Sequence, residues 1–298
     1  MAIPEAQLDT WDAQGSVKQS KDTYASVKGT LEDSKAPYYS RSYDAPYLQG
    51  SYGNDTNVWR DSDVDVVFKL DAIYHKDVTR LSADELALYN KDTGGAVTYT
   101  YFDFKKEVNA WLTKNYGTAV NPGKKAIFIK GEGNRRDCDV LLAAAFRRYY
   151  SYKPGKPNDF TEGICFFLPD MTLVENYPKR HSANCTKKMD DTRQWFKPTV
   201  RVFKNMRNRM IERGELKEGI APSYYLEGML YNVPPEHFGA SYQDTFVNCF
   251  NWILKAKASD LVCASGMEWL VRDGSQTSWP IASFNTYLNA AAEHWKKG

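Results

Sequence analysis

The stretch that most constrains this 298-residue chain is Asp63-Val64-Asp65-Val66-Val67-Phe68, a β-branched run with carboxylates at alternate positions. Side chains along a strand alternate between faces, so Asp63 and Asp65 share one face while Val64 and Val66 share the other. Two like charges a few Å apart repel and raise each other's pKa unless a cation lies between them. Shortly before it, Gly50-Ser51-Tyr52-Gly53 places small residues where a backbone can turn tightly and approach an anion. A lone Asp-x-Asp on a strand is ordinary solvent-facing charge. Beside a phosphate-sized glycine turn, the pair points to a divalent metal carrying a polyphosphate.

A chain of this length suits one large or two intimately packed domains. Its net charge of +2 gives no general case for a nucleic-acid-binding surface. The five cysteines, at 138, 165, 185, 249 and 263, are scattered and never in Cys-x-x-Cys spacing, which supports neither a zinc site nor a disulfide framework. Reduced thiols, an acidic N-terminus without signal-peptide features, and no apolar run near the roughly 18 residues of a membrane span predict a soluble, cytoplasmic protein with no membrane partner.

Apolar spacing predicts an amphipathic helix over about 14–33, a strand over 64–70, and a helix from the Ser82/Glu85 capping box. A helix over 102–116 turns Phe104, Val108, Trp111 and Leu112 inward and stops at Gly117. Strands follow at 125–129, 137–142 and 163–168, with a hairpin-like return near 172–177. Beyond Cys185 the pattern is helical, over 192–213, 222–232, 243–255 and 281–297. The fold class is α+β, with a core over 1–185 that includes a long N-terminal helix and an α-helical lobe over 186–298.

Two-metal phosphoryl transfer usually needs a third carboxylate, because two Mg²⁺ ions require several hard oxygen ligands. Asp137-Cys138-Asp139-Val140 supplies two candidates in period 2. In the helical stretch Arg201-Val202-Phe203-Lys204-Asn205-Met206-Arg207, Lys204 and Arg207 are three apart and share a helix face, which by itself reads as a solvated basic face.

The Gly-Ser turn followed by Asp-x-Asp resembles the nucleotidyltransferase superfamily of DNA polymerase β, the poly(A) polymerases, oligoadenylate synthetase and cGAS. The fuller wording, Leu48-Gln49-Gly50-Ser51-Tyr52-Gly53-Asn54-Asp55-Thr56 through Asp63-Val64-Asp65-Val66-Val67, is similar to the bacterial cGAS/DncV-like nucleotidyltransferases (CD-NTases) of anti-phage signalling. The resemblance spans about 47–232. It implies a polymerase β-like core, a mixed sheet with helices, packed against a helical lobe that closes the nucleotide pocket. It favours Asp139 as the third acid, with Asp137 as the alternative, although Cys138 stands where small residues are usual.

The resemblance further implies that Asp63, Asp65 and Asp139 are the catalytic and metal-binding residues, holding two Mg²⁺ ions with Mn²⁺ as a substitute. Gly50 and Ser51 would hold the terminal phosphates. Lys204, in an R-x-x-K-N motif, and Ser223, in a P-S-Y motif, would reach the donor triphosphate. Tyr224, or its neighbour Tyr225, would stack on a base. Asn176-Tyr177-Pro178-Lys179-Arg180-His181 would line the pocket without catalysing.

The implied activity joins ATP, GTP or other nucleoside triphosphates into a cyclic oligonucleotide, most simply a cyclic dinucleotide, with release of pyrophosphate, in CBASS defence. A downstream effector would receive the product, and nucleic-acid activation is not indicated. The alternatives are a template-independent enzyme adding nucleotides to RNA ends and a non-catalytic nucleotide-binding module. The near-neutral charge disfavours the first, and the complete carboxylate set disfavours the second. Some family members are conjugated through a small C-terminal residue by an E1/E2-like partner, and Gly298 fits that pattern; unchanged conjugation after its deletion would exclude the idea.

Overall fold

A computed structural model of the chain describes residues 2–15, 17–41, 44–59, 63–93, 95, 97–156 and 159–298. Residues 60–62, inside the stretch between the glycine turn and the carboxylate strand, lie outside the described residues. In chain order the elements are α1 (Glu5–Trp11), α2 (Lys18–Leu31), β1 (Tyr47–Gln49), α3 (Gly50–Gly53), β2 (Val64–Asp77), α4 (Ala83–Asp92), α5 (Tyr101–Tyr116), β3 (Val120–Pro122), β4 (Ile127–Ile129), β5 (Cys138–Ser151), β6 (Asp159–Phe167) and β7 (Leu173–Asn176). Five further helices follow: α6 (Pro178–Asp191), α7 (Phe196–Glu212), α8 (Ser223–Asn232), α9 (Tyr242–Lys255) and α10 (Ile281–Lys297). The chain divides into two compact units, one of 1–20, 49–62 and 178–298, the other of 21–48 and 63–177.

The second unit is built on the mixed sheet. Among the described residues its strand order is β1-β2-β5-β4-β3, with β6 pairing β5 and β7 pairing β6. β2 and β5 run parallel, while β5 pairs antiparallel with β4 over its first residues and with β6 over its last. Val64 and Val66 are fully buried and Asp65 is half-buried, the alternation that the β-branched run dictates. The helix α5 packs against the sheet through Phe104, Val108 and Leu112, all fully buried. Phe104 meets Phe68 of β2 at 5.2 Å between ring centroids and Tyr39 at 5.8 Å.

Both ends of α5 and the start of α4 follow from local chemistry. Ser82 caps α4 reciprocally with Glu85, and Thr100 caps α5 with Asp103 in the same way. Gly117 ends α5 at φ +57, a conformation that favours glycine.

The other unit is helical and organised on α7, whose Phe196, Val200, Phe203, Met206 and Met210 are fully buried. Phe203 packs on Phe246 of α9, and Phe246 stacks on Trp295 of α10 at 4.0 Å. The helix α1, unanticipated from the sequence, belongs here: the Glu5 carboxylate accepts from the backbone N–H groups of Tyr242 and Gln243, capping α9. The region after Cys185 also differs from expectation. A helix already runs from Pro178, and the chain breaks at 192–195 before α7. Arg193 and Gln194 adopt φ +52 and +71, which no helix accommodates, and the Thr192 hydroxyl accepts from Phe196 N at 3.0 Å across the break.

Phe68 sits at the centre of the sheet–helix contact, so Phe68→Ala should cost about 3–5 kcal/mol of unfolding free energy. Chemical denaturation measures this, and a loss below about 1 kcal/mol would contradict the packing described.

Candidate active site

The carboxylates of the sheet unit come together through strand register. Asp65 of β2 is paired directly with Asp139 of β5, and parallel neighbours in register present their side chains on the same face, about 4.8 Å apart. Asp63 lies two residues before Asp65, on that face, and is exposed, whereas Asp65 and Asp139 are half-buried. Cys138 is fully buried and points the other way, opposite Val64, so its presence does not disturb the acidic face.

Asp137 is engaged elsewhere. Its Oδ1 accepts from Gly131 N at 2.7 Å, and its carbonyl accepts from Val64 N at 3.0 Å. It therefore closes the turn that feeds β5, while Asp139 stands beside Asp65.

Burial pushes the Asp139 carboxyl up from its ordinary pKa, and the negative charges of Asp63 and Asp137 push it further. Burial likewise raises the Cys138 thiol, with Asp139 and Asp65 adding to it. An arrangement of hard oxygens whose mutual repulsion raises a pKa fits a divalent cation, which would reverse both effects.

The glycine turn is held within the helical unit. Gly50 adopts φ +62, which a residue with a side chain rarely takes, and the turn closes through Asn54 N to Gly50 O and Thr56 N to Ser51 O. Lys204 of α7 is fully buried. Its Nζ donates to Ser51 Oγ at 3.1 Å and to Thr56 O at 2.9 Å. Asp55, at φ +56, pairs with Lys197 at 3.0 Å, and its carbonyl accepts from Arg201 Nη1 at 2.7 Å. The basic stretch of α7 is thus a set of struts beneath the turn and not a solvated face.

Arg207, one helical turn on, donates to Ala221 O and to Asn208 Oδ1, both at 2.7 Å, and its Nη2 lies 3.5 Å from Ser223 Oγ. Ser223 opens α8, and the two tyrosines after it have ring partners of their own. Tyr224 stacks on His181 at 5.0 Å, and Tyr225 stacks on Trp279 at 5.5 Å while its hydroxyl donates to Ser278 O.

Sequence reading missed Glu227. It is 2% exposed and accepts from Asn54 Nδ2 at 2.9 Å, from Thr56 Oγ1, and from His181 Nε2 at 2.7 Å. Burial alone would raise its pKa, but the His181 imidazole, the Lys204 ammonium and the Thr56 hydroxyl outweigh that and pull it down to about 2. The available signal was a glutamate inside the apolar run Leu226–Leu230 of a helix. His181, Cys185 and Glu227 also bring three metal-ligating atoms within 4.8 Å of one another. With the carboxylate already accepting three hydrogen bonds and burial pushing the Cys185 thiol up, a hydrogen-bonded network accounts for the cluster.

The cGAS/DncV-like nucleotidyltransferase C-terminal helical domain family matches residues 183–296. A cyclic UMP-AMP synthase from Rhodothermus marinus is 37% identical over 99% of this chain and 98% of its own length. The cyclic nucleotide synthase CdnE01 of Staphylococcus haemolyticus is 29% identical over the whole of both chains. A solved structure of a Rhodothermus marinus CdnE c-UMP-AMP synthase with Apcpp and Upnpp superposes with a TM-score of 0.86 at 34% identity, covering 99% of this chain and 97% of that one.

The chain belongs to the cGAS/DncV-like nucleotidyltransferases. It is a nucleotidyltransferase that builds cyclic oligonucleotides from nucleotide substrates, in a metal-dependent family. No helix among the described residues is long and apolar enough to cross a membrane.

A carboxyl whose pKa is raised in the fold disfavours the folded state once it ionises. Stability falls as pH rises from the unfolded value, about 3.9, through the raised one. Asp139→Asn should therefore raise the thermal midpoint in EDTA at neutral pH. It should also lose most of the stabilisation that metal gives the wild type, about 2.7 kcal/mol at 100 times Kd. A lowered midpoint in EDTA with the metal response intact would contradict the assignment.

Proposed function

We propose that the protein condenses two nucleoside triphosphates into a cyclic dinucleotide that serves as a second messenger in anti-phage (CBASS) signalling, read by a downstream effector. The single observation that carries this reading is the in-register pairing of Asp65 with Asp139 beside Asp63, in a chain of this family.

Asp63, Asp65 and Asp139 are assigned as ligands of two divalent cations, Mg²⁺ with Mn²⁺ as a substitute. Bound there, the ions supply neutralisation of charge on the attacking and leaving oxygens and acidify the attacking hydroxyl. The carboxylates fix the geometry, and Asp139 accepts the proton of the ribose hydroxyl. The hydroxyl oxygen bonds to the α-phosphorus, the bond from that phosphorus to the β-phosphate oxygen breaks, and pyrophosphate leaves. A second such transfer closes the ring.

The terminal phosphates are assigned to the backbone at Gly50 and to the Ser51 hydroxyl. Lys204 orients that hydroxyl through its 3.1 Å contact and adds a positive charge. Ser223, beside the Arg207 guanidinium, is a further phosphate contact, and Tyr224 offers a ring to a base. Uridine and adenosine nucleotides, named for the Rhodothermus marinus relative, are the pair to test first.

Incubation of the purified protein with all four nucleoside triphosphates and Mg²⁺ or Mn²⁺, followed by phosphatase and mass spectrometry, should yield a phosphatase-resistant cyclic dinucleotide. The Asp63→Asn/Asp65→Asn variant should lose on the order of 10³-fold in rate, since several kcal/mol of charge stabilisation is removed. Linear addition to supplied RNA with no cyclic product would overturn the reading.

A further inference from the structure

Glu227 is a buried carboxylate that the chemistry above does not use. It lies in α8 between Leu226 and Met229, both fully buried. A buried carboxylate is costly unless its oxygens are satisfied, and breaking such a set by removing one partner costs more than the set contributes. Two of the three donors to Glu227, Asn54 Nδ2 and Thr56 Oγ1, come from the few residues directly after Gly50-Ser51. The third, His181 Nε2 on α6, braces the carboxylate from the opposite side in sequence and is itself stacked on Tyr224.

The same short segment is held from two other helices. Ser182 Oγ of α6 donates to Gly53 O at 3.2 Å, and Lys204 of α7 donates to Thr56 O and Ser51 Oγ. The Glu227 carboxylate and the Lys204 ammonium therefore meet at Thr56, one on its hydroxyl and the other on its carbonyl. Removing the negative charge takes a favourable opposite charge away from the buried Lys204 ammonium. It also frees the Thr56 and Asn54 side chains, whose fixed positions hold the turn in shape.

We propose that Glu227 is the positioning residue of the phosphate turn. Through Thr56 and Asn54 it sets where Ser51 presents its hydroxyl and, across Thr56, where Lys204 directs its charge toward a triphosphate. The inference rests on the assignment of the Gly50–Ser51 turn to the terminal phosphates.

Glu227→Gln tests it, because the amide keeps the shape but turns an NH₂ toward groups that also donate. Thr56→Val is the second variant; it removes one donor, leaves the carboxylate charged, and carries the test if Glu227→Gln does not fold. Binding of inorganic tripolyphosphate with Mg²⁺ is measured by calorimetry, alongside KM and kcat for the nucleoside triphosphates and the affinity for the free nucleosides.

Both variants should bind tripolyphosphate about 10-fold more weakly, the loss of one charge-assisted hydrogen bond. KM should rise to match, with kcat within about threefold and nucleoside affinity unchanged. Unchanged tripolyphosphate affinity in the folded variants, or a fall in kcat alone, would overturn the proposal and leave Glu227 a structural residue. A wild type that binds tripolyphosphate but makes no cyclic product would fail the proposed reaction, while the affinities still judge Glu227. A wild type that does not bind tripolyphosphate would overturn the turn's assignment and this inference together.

Discussion

The parallel pairing of β2 with β5 is the constraint on which the proposed chemistry depends. Asp65 and Asp139 are far apart in the chain, and only a fixed register brings them side by side. A slip of one residue would turn Asp139 to the opposite face and Cys138 onto the acidic one. The register is held by the buried residues that alternate with the acids, Val64 and Val66 on β2 and Cys138 and Val140 on β5. Packing of the sheet against α5 thus sets the geometry of the carboxylates. Burial raises the Asp139 pKa first, and the negative charges of Asp63 and Asp137 in the same arrangement add to it.

The helical unit solves a different problem, which is to keep a strained glycine turn in one shape. With positive φ at Gly50 and Asp55, the segment has only a single helical turn of backbone bonds, Asn54 N to Gly50 O and Thr56 N to Ser51 O, to hold its shape. Side chains of α6, α7 and α8, including a buried lysine and a buried glutamate, bond its remaining groups. In a low-dielectric interior, hydrogen bonds of this kind are strong and hold the groups they join in a defined arrangement. Rigid donors around a turn are what recognition of a multiply charged phosphate chain requires.

Much of this was legible in the sequence because its signals are local. The alternation around Asp63 and Asp65, the capping box at Ser82 and the amphipathic spacing of α5 each lie within a few residues, and the structure has all three. The preference for a third acid near Asp139 required a strand partner, and resemblance supplied what periodicity could not. Three features stayed out of reach. The helix α1 is stabilised by Glu5 capping α9, a contact between distant parts of the chain. The break at 192–195 depends on left-handed φ at Arg193 and Gln194, which nothing in their identity announces. Glu227 reads as an ordinary helix glutamate until the fold buries it against Asn54, Thr56 and His181.

The most direct test of the central claim is a crystal of the protein grown with Mn²⁺ and a non-hydrolysable nucleoside triphosphate, with the metal located by its anomalous scattering. The account predicts Mn²⁺ within about 2.0–2.3 Å of carboxylate oxygens of Asp63, Asp65 and Asp139. Asp137 should still accept from Gly131, and Glu227 should still accept from Asn54 and Thr56. Metal bound at His181, Cys185 and Glu227 instead, or at Asp137 in place of Asp139, would contradict it.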